Sequence, residues 1–500
     1  MNKKKGIIIG AAVAAVLTAI VLVLIFVPKG GSSDPQEATY DEGIDLSVSV
    51  DKDGVHQAVV NLDKDGKIAN NSYGTLMEYY PADITSIHVE NVKGSFDVES
   101  STPEGEATVY TIKGYEDFDL QGGNPDMIAS AAASLSFTKV ATLDNDRAGE
   151  FGFDKPRSVV TVTYSDKTKA IITVGDDAPQ SASTYIKFGT GDAIYIADSK
   201  TVSAFDYGVT DLMSLTINDA AEVSENGQAS SIKLSGAGFP REITLEPNTD
   251  TNYSATYIMT APESRFANEH ESSLIAGGLR GLMASSVTMV NPSADQLKKL
   301  GLDKPNAQVK AVFPDTEVEL IASKPDGKGN VNLMVAGGKV VYSISSDKVA
   351  WTKTGFEKLC YEYALYPKMT ELSGVTVKSG GKTYDLTVDT HNSVTTDDQG
   401  KETETMVTTV KLNGKEIKTG RFTTFFDAVS LIPMADVKSE SGGSEVFSVK
   451  YAFTDGSSGT VEFLDKGGDS CIVKVNGKAQ GHCAKADVTH AQKALDEMIK

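Results

Sequence analysis

The stretch Ser230–Leu245 reads SSIKLSGAGFPREITL, with apolar Ile232 and Leu234 alternating with polar residues before a Gly-containing turn and a second alternating arm. Period-two alternation on both sides of a turn is the pattern of a β-hairpin. Two further stretches begin alike: TSIHVENVKGSFDVES from Thr85, with Ile87 and Val89, and SGVTVKSGGKTYDLTV from Ser373, with Val375 and Val377. The three openings are spaced about 145 residues apart, which makes internal repetition the first thing to build on.

Each opening is followed by sequence of helical character. The first is NPDMIASAAASLS, where Asn124 can cap and Pro125 suits a first turn; the second runs from about Phe266 to Met283; the third is RFTTFFDAVSLI from Arg421. Alternating strands return after each helix, most clearly in SVVTVTYSDKTKAIITVG from Ser158, where Val160, Val162 and Tyr164 alternate with polar residues. Each copy then ends in another predicted helix: DSKTVSAFDYGVTDLM, SSDKVAWTKTGFEKLC and KADVTHAQKALDEMI, the last with Thr489 and Gln492 as a capping box. The expected fold class is α+β: three tandem repeats of β-hairpin, helix, antiparallel strands and closing helix, after one N-terminal transmembrane helix. The expected divisions are an anchor over 1–28, a flexible linker over 29–44, a small strand-rich segment over 45–84, and repeat units over 85–215, 216–372 and 373–500.

Composition fits this reading. Five hundred residues with 40% hydrophobic and 23% charged side chains make a folded chain of several units. The formal charge of -21 understates the acidity of the body, because Lys3, Lys4 and Lys5 open the chain and no acidic residue precedes Asp34. Such a body repels phosphate backbones, so nucleic acid is excluded as a partner. Gly6–Val27, GIIIGAAVAAVLTAIVLVLIFV, carries no charge. As a helix it would span about 33 Å, enough for a bilayer core of about 30 Å. Three lysines before it against Lys29 after it place the N-terminus in the cytoplasm and the body outside the cell membrane, as a single-pass protein. The alternative, a cleaved signal peptide, ordinarily has a shorter apolar run.

Two similar pentapeptides mark joints. In PSADQLKKLGLDKP, Ser293 is an N-cap with Gln296 three residues on, Gly301 ends the helix in the left-handed conformation, Leu302 folds back and Pro305 prevents continuation. LDNDRAGEFGFDKP keeps a capping Asp144, Gly152 and Pro156, with Arg147 where the box residue would be. Asp154 and Lys155, and Asp303 and Lys304, are read as solvated turn residues, so no catalytic, cofactor-binding or metal-binding residue is assigned. The third copy has no such element, and ELIASKPDG in the second lacks an equivalent of Gly175.

The order helix, G-[FL]-D-K-P, alternating strand, then TVGDDAP and YIKFGTGDAIYIAD resembles the bacterial family known as domain of unknown function 4340, best from about Asn124 to Met213. The resemblance implies a membrane-anchored extracytoplasmic protein associated with ABC-type transporter components, with relatives among gliding-motility auxiliary transport proteins. It implies no site residue.

Other chemistry is sparse. Six histidines are scattered without H-E-x-x-H or paired-Cys spacing, and there is no G-x-S-x-G elbow, P-loop or complete G-x-G-x-x-G. NLDKDGKIANNS matches the first half of a calcium loop through Asn61, Asp63, Asp65, Gly66 and Ile68, but offers Ser72 where a bidentate Glu is required, so it reads as a turn, like DKDG at Asp51–Gly54. Cys360 reads as a buried thiol. Cys471 and Cys483 flank a hairpin whose loop at Asn476–Lys478 would set them opposite each other, a geometry that allows a disulfide. Trp351, Tyr361, Tyr363 and Tyr366 read as packing residues, with a sugar platform as the alternative. The function expected is non-enzymatic: an accessory protein of an ABC-type export or surface assembly, with a permease and ATPase as partners and no cofactor. The alternatives are an adhesin or envelope-binding stalk, and an unrecognised envelope hydrolase.

Overall fold

The computed structural model describes residues 43–68, 73–103, 106–179, 182–396 and 402–500. The predicted anchor Gly6–Val27 lies outside the described residues. Among those described, no helix is long and apolar enough to cross a membrane. The described residues form two compact units, one from those between 43 and 80 together with Ala133–Val202, the other from Pro81–Ala132 and Ser203–Lys500.

The expected α+β class is corrected: the chain is mostly β, with 45% strand in large antiparallel sheets. Helices do follow the hairpins, at Asn124–Ala133, Glu269–Gly277 and Thr419–Ser430. The predicted closing helices, however, reduce to single turns in the first two copies. Ser199–Val202 and Val209–Leu212 stand on either side of an extended Gly208, and Phe356–Leu359 follows an extended Gly355. Glycine and the β-branched Thr201, Val202, Val209 and Thr210 disfavour a continuous helix there, and the apolar residues are instead buried one by one as Val202, Phe205, Leu212 and Trp351. Only Lys485–Met498 is a full helix. It begins a turn before the predicted box, so Thr489 lies inside it and its hydroxyl donates to the Lys485 carbonyl (3.0 Å).

In the first unit, Ser158–Tyr164, Lys169–Asp177, Ser183–Phe188, Ile194–Asp198 and Lys139–Thr142 pair successively antiparallel. Val160, Val162 and Tyr164 point inward as the alternation requires. The second unit contains the antiparallel meander Ile84–Asn91, Gly94–Ser101 and Val109–Ile112 and two nine-stranded sheets. The first of these sheets is made, in chain order, of Ser231–Ser235, Ile243–Pro247, Tyr257–Ala261, Arg265–Phe266, Ser286–Val290, Ala307–Val312, Glu317–Ala322, Asn330–Val335 and Val340–Ser345. Across the sheet they run fourth, third, second, first, sixth, seventh, eighth, ninth, fifth. The other sheet uses Leu372–Ser379, Lys382–Thr396, Glu402–Leu412, Lys415–Ile417, Met434–Asp436, Ser444–Phe453, Ser458–Asp465, Ser470–Val475 and Lys478–Ala484 in the same order. Its inward side chains, among them Val377, Phe447, Val449, Tyr451 and Phe463, pack with Phe422, Phe425 and Val429 of one helix and Val488, Ala491 and Leu495 of the other. Each fully buried Phe or Leu in this layer contributes about 1.5–3 kcal/mol.

The joints behave as helix stops. Ser293 and Gln296 form both bonds of a capping box (Ser293 N to Gln296 Oε1, 2.7 Å). Gly301 takes φ +73° and Leu302 donates back to Leu297 O (2.9 Å), packing beside Leu297, Met334 and Val341. In the first unit Asp144 caps a 3-10 turn over Asn145–Phe151, which Gly152 ends at φ +86°.

Candidate functional site

The GFDKP and GLDKP elements gather no chemistry, since Asp154, Lys155, Asp303 and Lys304 are all exposed beside the proline that launches a strand. The calcium-like stretch is an Asx turn: Asp63 Oδ1 accepts from the backbone of Asp65 (2.9 Å) and Lys67 (2.9 Å). Its last residues, 69–72, lie outside those described. Asp51 repeats the geometry toward Asp53 and Val55, and Asp326 toward Lys328 and Asn330. The N–H of Val55 holds the Asp51 carboxyl below its ordinary range, as that of Asn330 does for Asp326.

The histidines that are buried or paired are structural. His56, 7% exposed, contacts the Thr168 hydroxyl (2.9 Å) and the Tyr79 hydroxyl (3.0 Å) through Nε2, and burial lowers its pKa. His88 lies against Asp97, His391 against Asp389, and His482 between Asp436 and Glu440. Among the described residues no group of three His, Cys, Asp or Glu side chains is placed to hold a metal.

Cys360 is buried, and its thiol is pushed up to about 11 by desolvation. Cys471 and Cys483 are directly opposed, as the spacing predicts, and both are buried free thiols. The loop between them is shorter than predicted. A two-residue Asn476–Gly477 turn, both residues at positive φ, is compensated by a bulge between Val473 and Lys474.

A cleft of about 910 Å³ opens in the second unit, where the connection between the two nine-stranded sheets runs past the helix Glu269–Gly277. That connection, Tyr361–Tyr366, is held from both sides. Tyr361 N donates to Phe266 O (3.2 Å), Asn268 N to Leu359 O (2.8 Å) and Met434 N to Glu362 O (2.9 Å). Further hydrogen bonds, from buried Asn252 and Arg265, join the two sheets. Asn252, 2% exposed, donates to Asp455 (3.0 Å) and Ser457 (3.1 Å), and Arg265, paired locally with Glu263 (2.6 Å), donates across to Gln480 O (3.2 Å). Tyr253 enters the core of the last sheet against Phe453.

Two walls of the cleft carry different chemistry. The helix supplies Glu269, His270, Glu271 and Ser273, capped by Asn268, which accepts from Glu271 N (3.0 Å). Glu269 is pinned by the backbone N–H of Thr256 (2.8 Å), and Glu271 by the Thr354 hydroxyl (3.1 Å). The connection supplies half-buried Tyr361, Tyr363 and Tyr366 together with exposed Glu362. Tyr361 and Tyr363 stand 5.9 Å apart at 78°, and Tyr363 and Tyr366 6.3 Å apart at 50°. Burial pushes the Tyr361 hydroxyl up to about 12, and the Glu362 carboxylate raises that of Tyr363. Three carboxylates face one ammonium, Lys358, so the cleft is acidic.

The packing reading of the aromatic residues holds for Trp351 and differs for the tyrosines. Trp351 is fully buried, with its indole N–H on Gly278 O (2.8 Å), and takes no part. The three tyrosines line open space but do not make a flat platform. The Glu269–Glu271 wall was missed, because charged residues in a first helical turn read as ordinary capping charges.

A second feature absent from the sequence reading is a two-stranded arm. Strands Lys382–Thr396 and Glu402–Leu412 stay paired from Leu386↔Leu412 out to Thr396↔Glu402, far beyond the neighbouring strand Leu372–Ser379. Val388 and Val410 are still buried, whereas Val394, Met406 and Val407 further out are exposed.

Residues 111–295 match the family described as domain of unknown function (DUF4340). No curated protein matches the chain. The match covers the first helix-stop element, Gly152–Pro156, and the Glu269–Glu271 wall of the cleft, and it ends before Gly301–Pro305 and the tyrosine wall. Over residues 111–295, then, the chain is similar to the DUF4340 family, as its helix-stop and strand motifs from Asn124 to Met213 implied.

Proposed function

We propose that the protein is a non-enzymatic, membrane-anchored extracytoplasmic accessory protein of an ABC-type export or surface assembly, acting by protein contact. The observation that carries this reading is the protruding arm. A paired ribbon that leaves its sheet and exposes Val394, Met406 and Val407 contributes little to its own core and offers apolar contact to another protein. The charge-free Gly6–Val27 supplies the anchor in this reading, and the family resemblance supplies the transporter. One span encloses no pore, so transport requires a multi-span partner.

Crosslinking from a photoreactive residue at position 406 in intact membranes tests the proposal. A permease and its ATPase are the expected products. Recovery of neither, under conditions that preserve other transporter complexes, together with normal export in a deletion strain, contradicts it.

A further inference from the structure

The cleft walled by Tyr361, Tyr363, Tyr366, Glu269, Glu271 and Glu362 carries an inference independent of any transporter partner. We propose that it is a binding site for a small cationic ligand bearing a substituted, quaternary-type ammonium group. Three features converge on this class.

The first is ring geometry. Sugars stack on exposed rings presented as a flat surface, whereas Tyr361 and Tyr363 meet at 78° and Tyr361 meets Phe266 behind it at 64°. Rings crossed in this way form a corner whose electron-rich π faces attract a cation, the arrangement by which aromatic cages hold methylated ammonium groups.

The second is charge. Glu269, Glu271 and Glu362 outnumber Lys358, and they stand in a chain of formal charge -21. The N-terminus of the helix Glu269–Gly277 would favour an anion, but Asn268 and its own Glu269 and Glu271 already satisfy it. An anionic ligand is therefore disfavoured, and so is a zwitterion that brings a phosphate beside its ammonium. This points to a free cation over a phosphate-linked headgroup.

The third is preorganisation. Thr256 and Thr354 fix two of the carboxylates, and the backbone of the tyrosine segment is bonded on both sides, so little ordering remains to be done on binding. A volume of about 910 Å³ admits a ligand larger than the ammonium group itself.

The test uses full-length protein in a non-ionic detergent, titrated calorimetrically with choline, with its neutral isostere 3,3-dimethyl-1-butanol, and with phosphocholine. Choline is expected to bind saturably, with the neutral isostere and phosphocholine each weaker by about tenfold. Tyr363→Leu, which keeps apolar volume but removes the ring, and Glu362→Gln, at an exposed position, are each expected to weaken choline by about three- to tenfold. Unchanged thermal midpoints would show that both variants are folded. If one variant unfolds, the other still decides. Equal binding of choline and its isostere, phosphocholine binding more tightly than choline, unchanged choline affinity in both folded variants, or no saturable choline binding at millimolar concentration would each overturn the assignment.

Discussion

A Cβ on Gly175 would overlap the carbonyl oxygen of Phe151 and stand 3.0 Å from the Phe153 ring, so at this position the helix stop and the strand approach each other backbone to backbone. Gly301, the second copy's joint, is looser: its nearest neighbour would be Ser323 Cβ at 3.4 Å, and its constraint is φ +73° alone. We predict that Gly175→Ala destabilises its unit by about 2–3 kcal/mol, through overpacking against backbone that cannot yield. Gly301→Ala should cost about 1 kcal/mol, from left-handed strain. Calorimetric unfolding measures both, and a neutral Gly175→Ala would show that the approach is not tight. His482 gives a prediction of a different kind. Its Nδ1 lies 2.9 Å from Asp436 and its Nε2 3.0 Å from Glu440, while Lys466 also pairs with Glu440. The Asp436 hydrogen bond raises the His482 pKa above its ordinary value. Burial opposes ionisation of Asp436, but its bond to His482 still holds that pKa low. A raised histidine pKa stabilises the fold fully below about pH 6.5, and this is lost as pH rises through the folded value. A lowered aspartate pKa stabilises above about pH 3.9, and this is lost as pH falls through the folded value. His482→Ala should therefore lower the thermal midpoint most near pH 5, by the equivalent of about 1 kcal/mol, with the gap narrowing above pH 8. A gap that widens with pH would contradict the assignment.

Elements were legible in the sequence where a local signal was strong. The hairpins at Ile87, Ile232 and Val375 follow from period-two alternation, and the Ser293 cap and Gly301 stop from side-chain and glycine chemistry alone. The closing helices of the first two copies were overcalled. Their apolar residues have helical spacing, but Gly208 and Gly355 stand extended and tertiary burial takes the residues singly. The arm was not legible for the opposite reason. Alternating Thr, Val and charged residues look the same whether a strand continues inside a sheet or leaves it, and only the pairing partners distinguish the two. The cleft was half legible: the tyrosine cluster stands out in YEYALY, but Glu269 and Glu271 are nearly a hundred residues away in sequence and are brought to it by the bonds of Tyr361 to Phe266 and of Asn268 to Leu359. The arm's independence from the core can be measured. Excising 391–407 and joining Thr390 to Thr408, which face each other, through an Asn-Gly turn should change stability by about 1 kcal/mol or less, because the buried Val388 and Val410 remain. A large loss in calorimetric unfolding would mean that the ribbon supports the sheet.

At the scale of the whole molecule, the two nine-stranded sheets share one strand order, and the connection between them is where the fold leaves a cleft. Sheets of one strand order are joined by hydrogen bonds, and the second unit exposes an acidic tyrosine-lined cleft and an apolar-tipped arm. Both features suit recognition. The proposed partnership rests on the arm together with the proposed anchor and a family resemblance, and the arm lies apart from the residues of the cleft. Purifying the wild-type and 391–407-excised proteins from the same crosslinked membranes, and comparing the partners by mass spectrometry, tests the contact role most directly. The account predicts a permease and ATPase with the wild type and neither with the folded, arm-less protein. Equal recovery with both would contradict it.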